Sequence, residues 1–293
     1  MFKFLSNLFG KTQFGLYICD DYIEATLLKG SPKNPQIIAS GKKALQPGIV
    51  QNGAITNNEE LAKQIKELLS ETKPEQIKDL KCILSLPSSR TFEQVFFLGK
   101  DMAAAQIRKY MDENLEEVFP LRGSDIKYKI KIMPLAKTRV VFVVATDQNI
   151  TNSYIETLRK NCGLEPIIIE PRHFNIGRAI KADLTKDDGI IIIDQNETKI
   201  NWVLLWKGEI FDNSSVSIED LPEDINTSIK YFEDKCKRKV SEIIVAANKE
   251  KADKITKSLQ QPSMKITQME EISVAGGAAL RALNNNDTQI NLV

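Results

Sequence analysis

Residues 15–28, GLYICDDYIEATLL, run from a glycine through a short apolar strand, turn at Cys19-Asp20-Asp21, and leave as a second strand. A strand-turn-strand of this shape suits phosphate binding, because glycine and short side chains let backbone amides approach an anion. Here two carboxylates, Asp20 and Asp21, stand where the anion would sit.

The remainder of the chain narrows the classes of function. Its 293 residues are enough for two cores. Hydrophobic content of 42% with 27% charged residues is that of a soluble globular protein. A net charge of +1 gives no electrostatic case for nucleic acid. Cys19, Cys82, Cys162 and Cys236 are widely spaced with no C-x-x-C pair, which argues against structural zinc and for a reducing compartment. With His173 as the sole histidine, the sequence argues against a histidine-based metal site or a Ser-His-Asp triad, and His173 reads as a polar loop or helix-start residue. No run of about 18 apolar residues exists. The opening MFKFLSNLFGK carries Phe2, Leu5 and Phe9 at helical spacing beside Lys3 and Lys11. It is read as a tail over 1–12 that either rests on a membrane surface or packs on the body.

Along the chain, strands and turns fill residues 14–53. A helix follows over NEELAKQIKELLSE, with Thr56 or Asn57 as cap and Leu61, Ile65, Leu68 and Leu69 on one face. KCILSLP reads as a short buried strand. A block over 91–170 then reads strand, helix (Asp101 as cap), strand, strand, helix (Gly163 past its end), strand, a small α+β module. After the bridge HFNIGRAIKAD the opening theme returns as GIIIIDQNETKINWVLLWKGEIF. Laid on the N-terminus without a gap, Ile200 falls on Ile23 and Asn196-Glu197-Thr198 on Cys19-Asp20-Asp21, which points to a duplication. Trp202 and Trp206 are expected in sheet packing rather than as a base-stacking platform.

Two related strand-turn-strand units, a module inserted in the first, and a closing AGGAALRAL helix resemble the actin-like ATPase superfamily. Within it the chain is similar to the PilM family of type IV pilus assembly proteins, themselves related to the cell-division protein FtsA. The order and spacing of FGLYICDDYIEATLLKG, CILSLPSSRTFEQVFFL, YIETLRKNCGLEPIIIEP, GIIIIDQNETKINWVLL and SIKYFEDK carry the likeness over nearly the whole chain. It implies an α/β fold of duplicated actin-like (ribonuclease H-like) lobes with an inserted α+β subdomain. The first lobe would cover 13–90, completed by 171–186 and 273–284. The module would cover 91–170, a reduced second lobe 187–272, and a tail 285–293.

The same resemblance turns the opening carboxylates into departures. In the family the first phosphate loop reads Asp-x-Gly-x-x-Ser/Thr. Here Tyr17 stands for the aspartate, Cys19 for the glycine, and Asp20, Asp21 and Tyr22 for the small hydroxyl positions. The second loop keeps Asp194, but Asn196 replaces glycine and Glu197 and Thr198 follow. Like charges about 4 Å apart repel by roughly 1 to 4 kcal/mol between bulk water and an effective dielectric of 20. The adenosine loop reads VAANKEKA, with Ala247 and Asn248 for glycines. Only EDLPEDINTSIKYF follows SVSI, where relatives carry a further subdomain.

The expectation is a scaffold without enzymatic activity at the cytoplasmic face of the inner membrane. It would need no cofactor, with ATP and Mg²⁺ disfavoured and no metal site. The resemblance implies a PilN-like membrane protein as partner, held through a short N-terminal peptide, together with other pilus assembly platform proteins; it leaves self-association open. Arg90, Phe92, Phe96 and Leu98 are candidates to line the peptide groove, although Phe92, Phe96 and Leu98 share a strand face and fit the module's own core equally well. INLV, residues 290–293, resembles the Ile-Asn-Leu-Leu motif at the start of PilN proteins. It is read either as a groove occupant or as a disordered end with accidental similarity. The alternatives are an actin-like ATPase with divergent loops, supported by Asp194, Thr198 and Gly276-Gly277, and an FtsA-like membrane tether. A type II secretion component is close to the first reading.

Overall fold

The computed structural model describes residues 12–119, 125–180, 187–195, 200–259, 264–270, 272–284 and 290–293. The first lobe opens with β1 (Phe14–Ile18), β2 (Tyr22–Ser31) and β3 (Asn34–Ala44), then a small hairpin of β4 (Val50–Gln51) and β5 (Ala54–Ile55). α1 (Asn58–Glu71) follows, with β6 (Lys73–Pro74) and β7 (Lys81–Leu86) behind it. Asn57 caps α1 by accepting the Glu60 amide at 3.0 Å, and Leu61, Ile65, Leu68 and Leu69 are buried as their spacing requires.

The inserted module holds β8 (Phe92–Gly99), α2 (Ala104–Val118), β9 (Ile126–Leu135) and β10 (Thr138–Asp147). Its antiparallel sheet runs β8-β10-β9. The middle strand is apolar from Val140 to Ala145 because both of its faces are covered there. Val141, Val143 and Ala145 pack with Ile107 and Met111 of α2, while Val140 and Phe142 join the core of the second lobe. α2 begins past Asp101, which therefore does not cap it; the Ala103 amide is taken by the Gln106 side chain at 2.7 Å.

The module is shorter than 91–170. α3 (Gln148–Glu156), its π-helical continuation Thr157–Cys162, and β11 (Glu165–Pro171) belong to the first lobe. β11 lies parallel to β7, so the chain needs a crossover helix, and α3 with its continuation supplies it by packing on α1. The helix ends at Gly163 in the left-handed conformation, as expected. α4 (Arg172–Ala179) closes this half.

The second lobe repeats the plan with β12 (Gly189–Gln195), β13 (Ile200–Trp206), β14 (Glu209–Val216), α5 (Leu221–Cys236), β15 (Val240–Ala246), α6 (Lys249–Leu259), β16 (Lys265–Met269) and α7 (Val274–Leu283). The first sheet reads β11-β7-β1-β2-β3-β6 and the second β16-β15-β12-β13-β14. Each has two antiparallel pairs followed by two parallel ones, and in the first sheet β6 adds a further antiparallel pair on β3. Ile18 pairs with Ile23, and Gln195 with Ile200, so the ungapped register of the duplication holds at both turns. Trp202 and Trp206 lie in the second core, their indole N–H groups donating to Asp224 Oδ2 and the Asp187 carbonyl, each at 2.9 Å.

α4 and α7 pack against each other between the sheets. α7 is rich in small residues because backbones meet there. A Cβ on Gly15 would lie 1.9 Å from the Ala275 carbonyl oxygen, and one on Gly277 the same distance from that of Asn175. Gly277 thus serves helix packing, and Ser273 caps α7 through the Gly276 amide at 2.8 Å. Residues 290–293 return to the first sheet with Leu292 fully buried, so the reading of INLV as a disordered end is corrected.

Candidate functional site

The turn after β1 meets the β4–β5 hairpin. Asn52 and Gly53, both at positive φ (48° and 72°), form the tight turn that Asn-Gly favours, and their amides point the same way. Both donate to one carboxylate: Asn52 N–H to Asp20 Oδ2 at 2.6 Å and Gly53 N–H to Asp20 Oδ1 at 2.7 Å. The hairpin is itself held, since Tyr154 Oη donates to the Gly53 carbonyl at 3.0 Å and Gly53 packs on Ser89 and Arg90. Asp20 is therefore a built-in anion for a two-amide nest.

The turn after β12 is answered differently. Arg172, the first residue of α4 and 2% exposed, forms a two-point ion pair with Asp194 at the end of β12; Nη1 donates to Oδ1 at 3.2 Å and Nη2 to Oδ2. The guanidinium lies 5.8 Å from the centroid of the Tyr17 ring, and Tyr22 meets that ring edge-on at 5.7 Å. Burial opposes the charge on Arg172, while the Asp194 carboxylate, together with Tyr17 and Tyr22, holds the pKa above its ordinary value. Burial also pushes the Tyr17 phenol and the Cys19 thiol up, so both stay neutral. Asn196, Glu197 and Thr198 lie outside the described residues.

Between the two turns is a cavity of about 410 Å³. Tyr17, Cys19, Asp20 and Asp21 line it from the first lobe, together with Ser88 and Ser89; Asn201 and Ser214 face them from the second. Among the described residues no lysine or arginine lines it. On its wall His173, buried in the first turn of α4, sits 3.7 Å through Nδ1 from Glu93 Oε1. A phosphate entering here would meet Asp20 and Asp21 with no described lysine or arginine alongside. Among the described residues no cluster of three or more His, Cys, Asp or Glu could hold a metal ion.

The other candidate residues separate. Phe92, Phe96 and Leu98 pack against the module's own core, with Ile107 and Met111. Arg90 lies apart from them, beside Gly53, with its carbonyl accepting from Thr146 Oγ1 at 2.8 Å. Asn248, at the expected adenosine loop, caps α6 by accepting the Lys251 amide at 3.0 Å. Sequence reasoning missed Arg172, which falls between the strand EPIIIEP and the bridge HFNIGRAIKAD, and the Asn52-Gly53 nest, although the dipeptide is a strong hairpin signal.

Each half thus follows the order β-β-β-α-β-α-β-α, once with a module inserted. The fold is actin-like. No family model and no curated protein matches the sequence. Among solved structures, the chain is similar to one from the PilM-PilN type IV pilus biogenesis complex, with a TM-score of 0.74 at 16% identity over 93% of this chain and 98% of that one. It is also similar to the cytoplasmic domain of EpsL, an inner membrane component of the type II secretion system of Vibrio cholerae (TM-score 0.60, 11% identity, 96% and 97% covered). A Bacteroides thetaiotaomicron protein with an actin-like ATPase fold follows (TM-score 0.50, 12% identity, 93% and 95% covered). At these identities the likeness is one of fold. No described helix is long and apolar enough to cross a membrane.

Proposed function

We propose that the chain is a PilM-like cytoplasmic scaffold of a type IV pilus inner-membrane platform, which holds a short N-terminal segment of a PilN-like membrane protein and does not turn over ATP. The observation that carries the absence of turnover is the internal pairing at both turns. The donors of the 52–53 nest are spent on Asp20, and the aspartate retained in the second loop is spent on Arg172. A triphosphate would have to displace a carboxylate from two amides and break a buried ion pair, then face Asp20 and Asp21 in a cavity lined by no described lysine or arginine. The described residues of the two turns do not fit ATP with Mg²⁺.

The scaffold reading is further supported by how the module is held. β8 and β10 lie on β14, Phe97 meets Phe211 at 6.2 Å, and Lys131 of β9 forms an ion pair with buried Glu209 of the second lobe. A module packed on both lobes opposes a nucleotide-driven opening of the cleft. The PilN-like partner is proposed from the likeness to the chain of the PilM-PilN complex.

The test is calorimetric titration of the full chain with the N-terminal cytoplasmic segment of the PilN-like protein from the same organism. Saturable binding with a Kd on the order of micromolar is expected. No heat up to millimolar segment would refute the partner.

A further inference from the structure

The outer edge of β11 carries a second site, made by elements other than the two turns. Both backbone groups of Ile169 are used there. Its carbonyl accepts the Leu292 N–H at 2.8 Å, and its own N–H donates to Asn291 Oδ1 at 3.1 Å. The same Asn291 oxygen accepts the Val293 N–H at 3.0 Å. The Ile290 carbonyl accepts from Arg281 Nη1 of α7 at 3.0 Å, and Arg281 pairs with Glu170 of β11, which Arg178 of α4 shares. Leu292 is 0% and Ile290 6% exposed, whereas Val293 stands out at 43%.

The segment is read at three points: two aliphatic side chains two residues apart, and a carboxamide between them. Main-chain bonds to a sheet edge are indifferent to sequence, so the sockets and the carboxamide contact supply selectivity. Residues 284–289, NNNDTQ, hold no apolar side chain, so the docked segment is an isolated apolar unit on a polar connection.

We propose that this edge is a peptide-docking groove whose built-in occupant is residues 290–293, and that its competitor is an extended aliphatic-Asn-aliphatic segment of a partner protein. The proposal rests on the scaffold reading and adds its regulation: the partner enters as the chain's own segment leaves. A short tether keeps the internal segment at an effective concentration on the order of millimolar; with an intrinsic Kd on the order of 10 μM for that segment, a competitor binds about 100-fold more weakly than to an open groove, so a micromolar Kd on the full chain corresponds to one on the order of 10 nM for the open groove.

The probe is a labelled, C-terminally amidated peptide TQINLV, measured by fluorescence anisotropy against the full chain and against the double variant Ile290→Ser/Leu292→Ser. The variant is expected to bind at least about tenfold more tightly than the full chain, and replacing the peptide's Asn by Ala is expected to cost at least about tenfold. Equal binding to both proteins, or none to a variant that circular dichroism shows folded, overturns the groove. If the double variant fails to fold, Asn291→Ala serves, since it keeps both aliphatic side chains: improved peptide binding is expected, and no gain overturns the proposal. A dimer of the full chain in sedimentation equilibrium that the variant loses also overturns it, because the groove then serves a second copy. A PilN-like segment that binds full chain and variant equally overturns the competition and leaves the scaffold reading standing. TQINLV binding to the variant while the PilN-like segment binds neither protein refutes that partner and leaves the groove.

Discussion

The two lobes share one strand order and one turn register, yet they neutralise their turns and finish their outer edges by different means. In the first lobe Asp20 takes two backbone amides near the surface, and the edge strand β11 is covered by residues 290–293. In the second, Asp194 takes a side chain from the other half of the molecule, Arg172 at the head of α4, and β16 ends its sheet. A duplicated fold conserves backbone pairing, because the register of a hairpin is set by its turn and its buried face. It does not conserve what satisfies the turn. Each turn here has its own solution, one of hydrogen bonds and one of charge.

The largest effect is expected from breaking the second solution. Asp194→Ala leaves Arg172 buried without its counter-charge and should lower stability by about 3–5 kcal/mol, read as a fall in the urea midpoint with the slope unchanged. Arg172→Met should cost less, because Asp194 is 15% exposed and keeps access to water, and Arg172→Met/Asp194→Asn should recover much of the Asp194→Ala loss. A double variant no better than Asp194→Ala would show that the pair is not what the second turn depends on. Next comes the covered edge. Leu292→Ala should cost about 2 kcal/mol, bounded by the docking energy of the segment, which detaches rather than leaving a cavity. Amide exchange at Ile169 should then rise, and no change in it would contradict the edge pairing.

The first turn should be the milder of the two. Asp20→Ala removes a charge-assisted acceptor from amides that water can still reach, for a loss of about 1–2 kcal/mol. A loss equal to that of Asp194→Ala would erase the contrast between the lobes. The smallest effect is shared by both. Burial pushes the Cys162 thiol in the first lobe up to about 11 and the Cys236 thiol in the second up to about 12, from an ordinary 9.0. Between these values the unfolded chain binds fewer protons than the folded one. That contribution to stability is whole below about pH 9 and is lost as pH rises through 11 to 12, so melting temperature should decline over this window. Cys162→Ala and Cys236→Ala together should flatten the decline.

The repeat was legible in the sequence because strand length, apolar content and the offset of Ile200 on Ile23 are local properties, and the inserted module announced itself by its strand-helix-strand-strand order. The module's far boundary was not. EPIIIEP reads as a strand wherever it pairs, and only the parallel partner β7 places it in the first lobe. Arg172 was invisible for a similar reason: its meaning lies in Asp194, 22 positions away, and a lone arginine at a helix start is ordinarily a surface residue. The nest for Asp20 was half legible, since Asn52-Gly53 names a tight turn but not the carboxylate it faces. The likeness of INLV to a binding motif was on the page, while its burial depended on an open strand edge that only the assembled sheet provides.

The central claim is that internal partners have taken the place of a nucleotide. Its most direct test is calorimetric titration of the full chain with ATP and Mg²⁺. The account predicts no saturable heat up to millimolar ATP, with Arg172 and Asp20 left in their present contacts. A Kd in the micromolar range would contradict it and would mean that the Asp20 and Asp194 pairings open to admit a triphosphate.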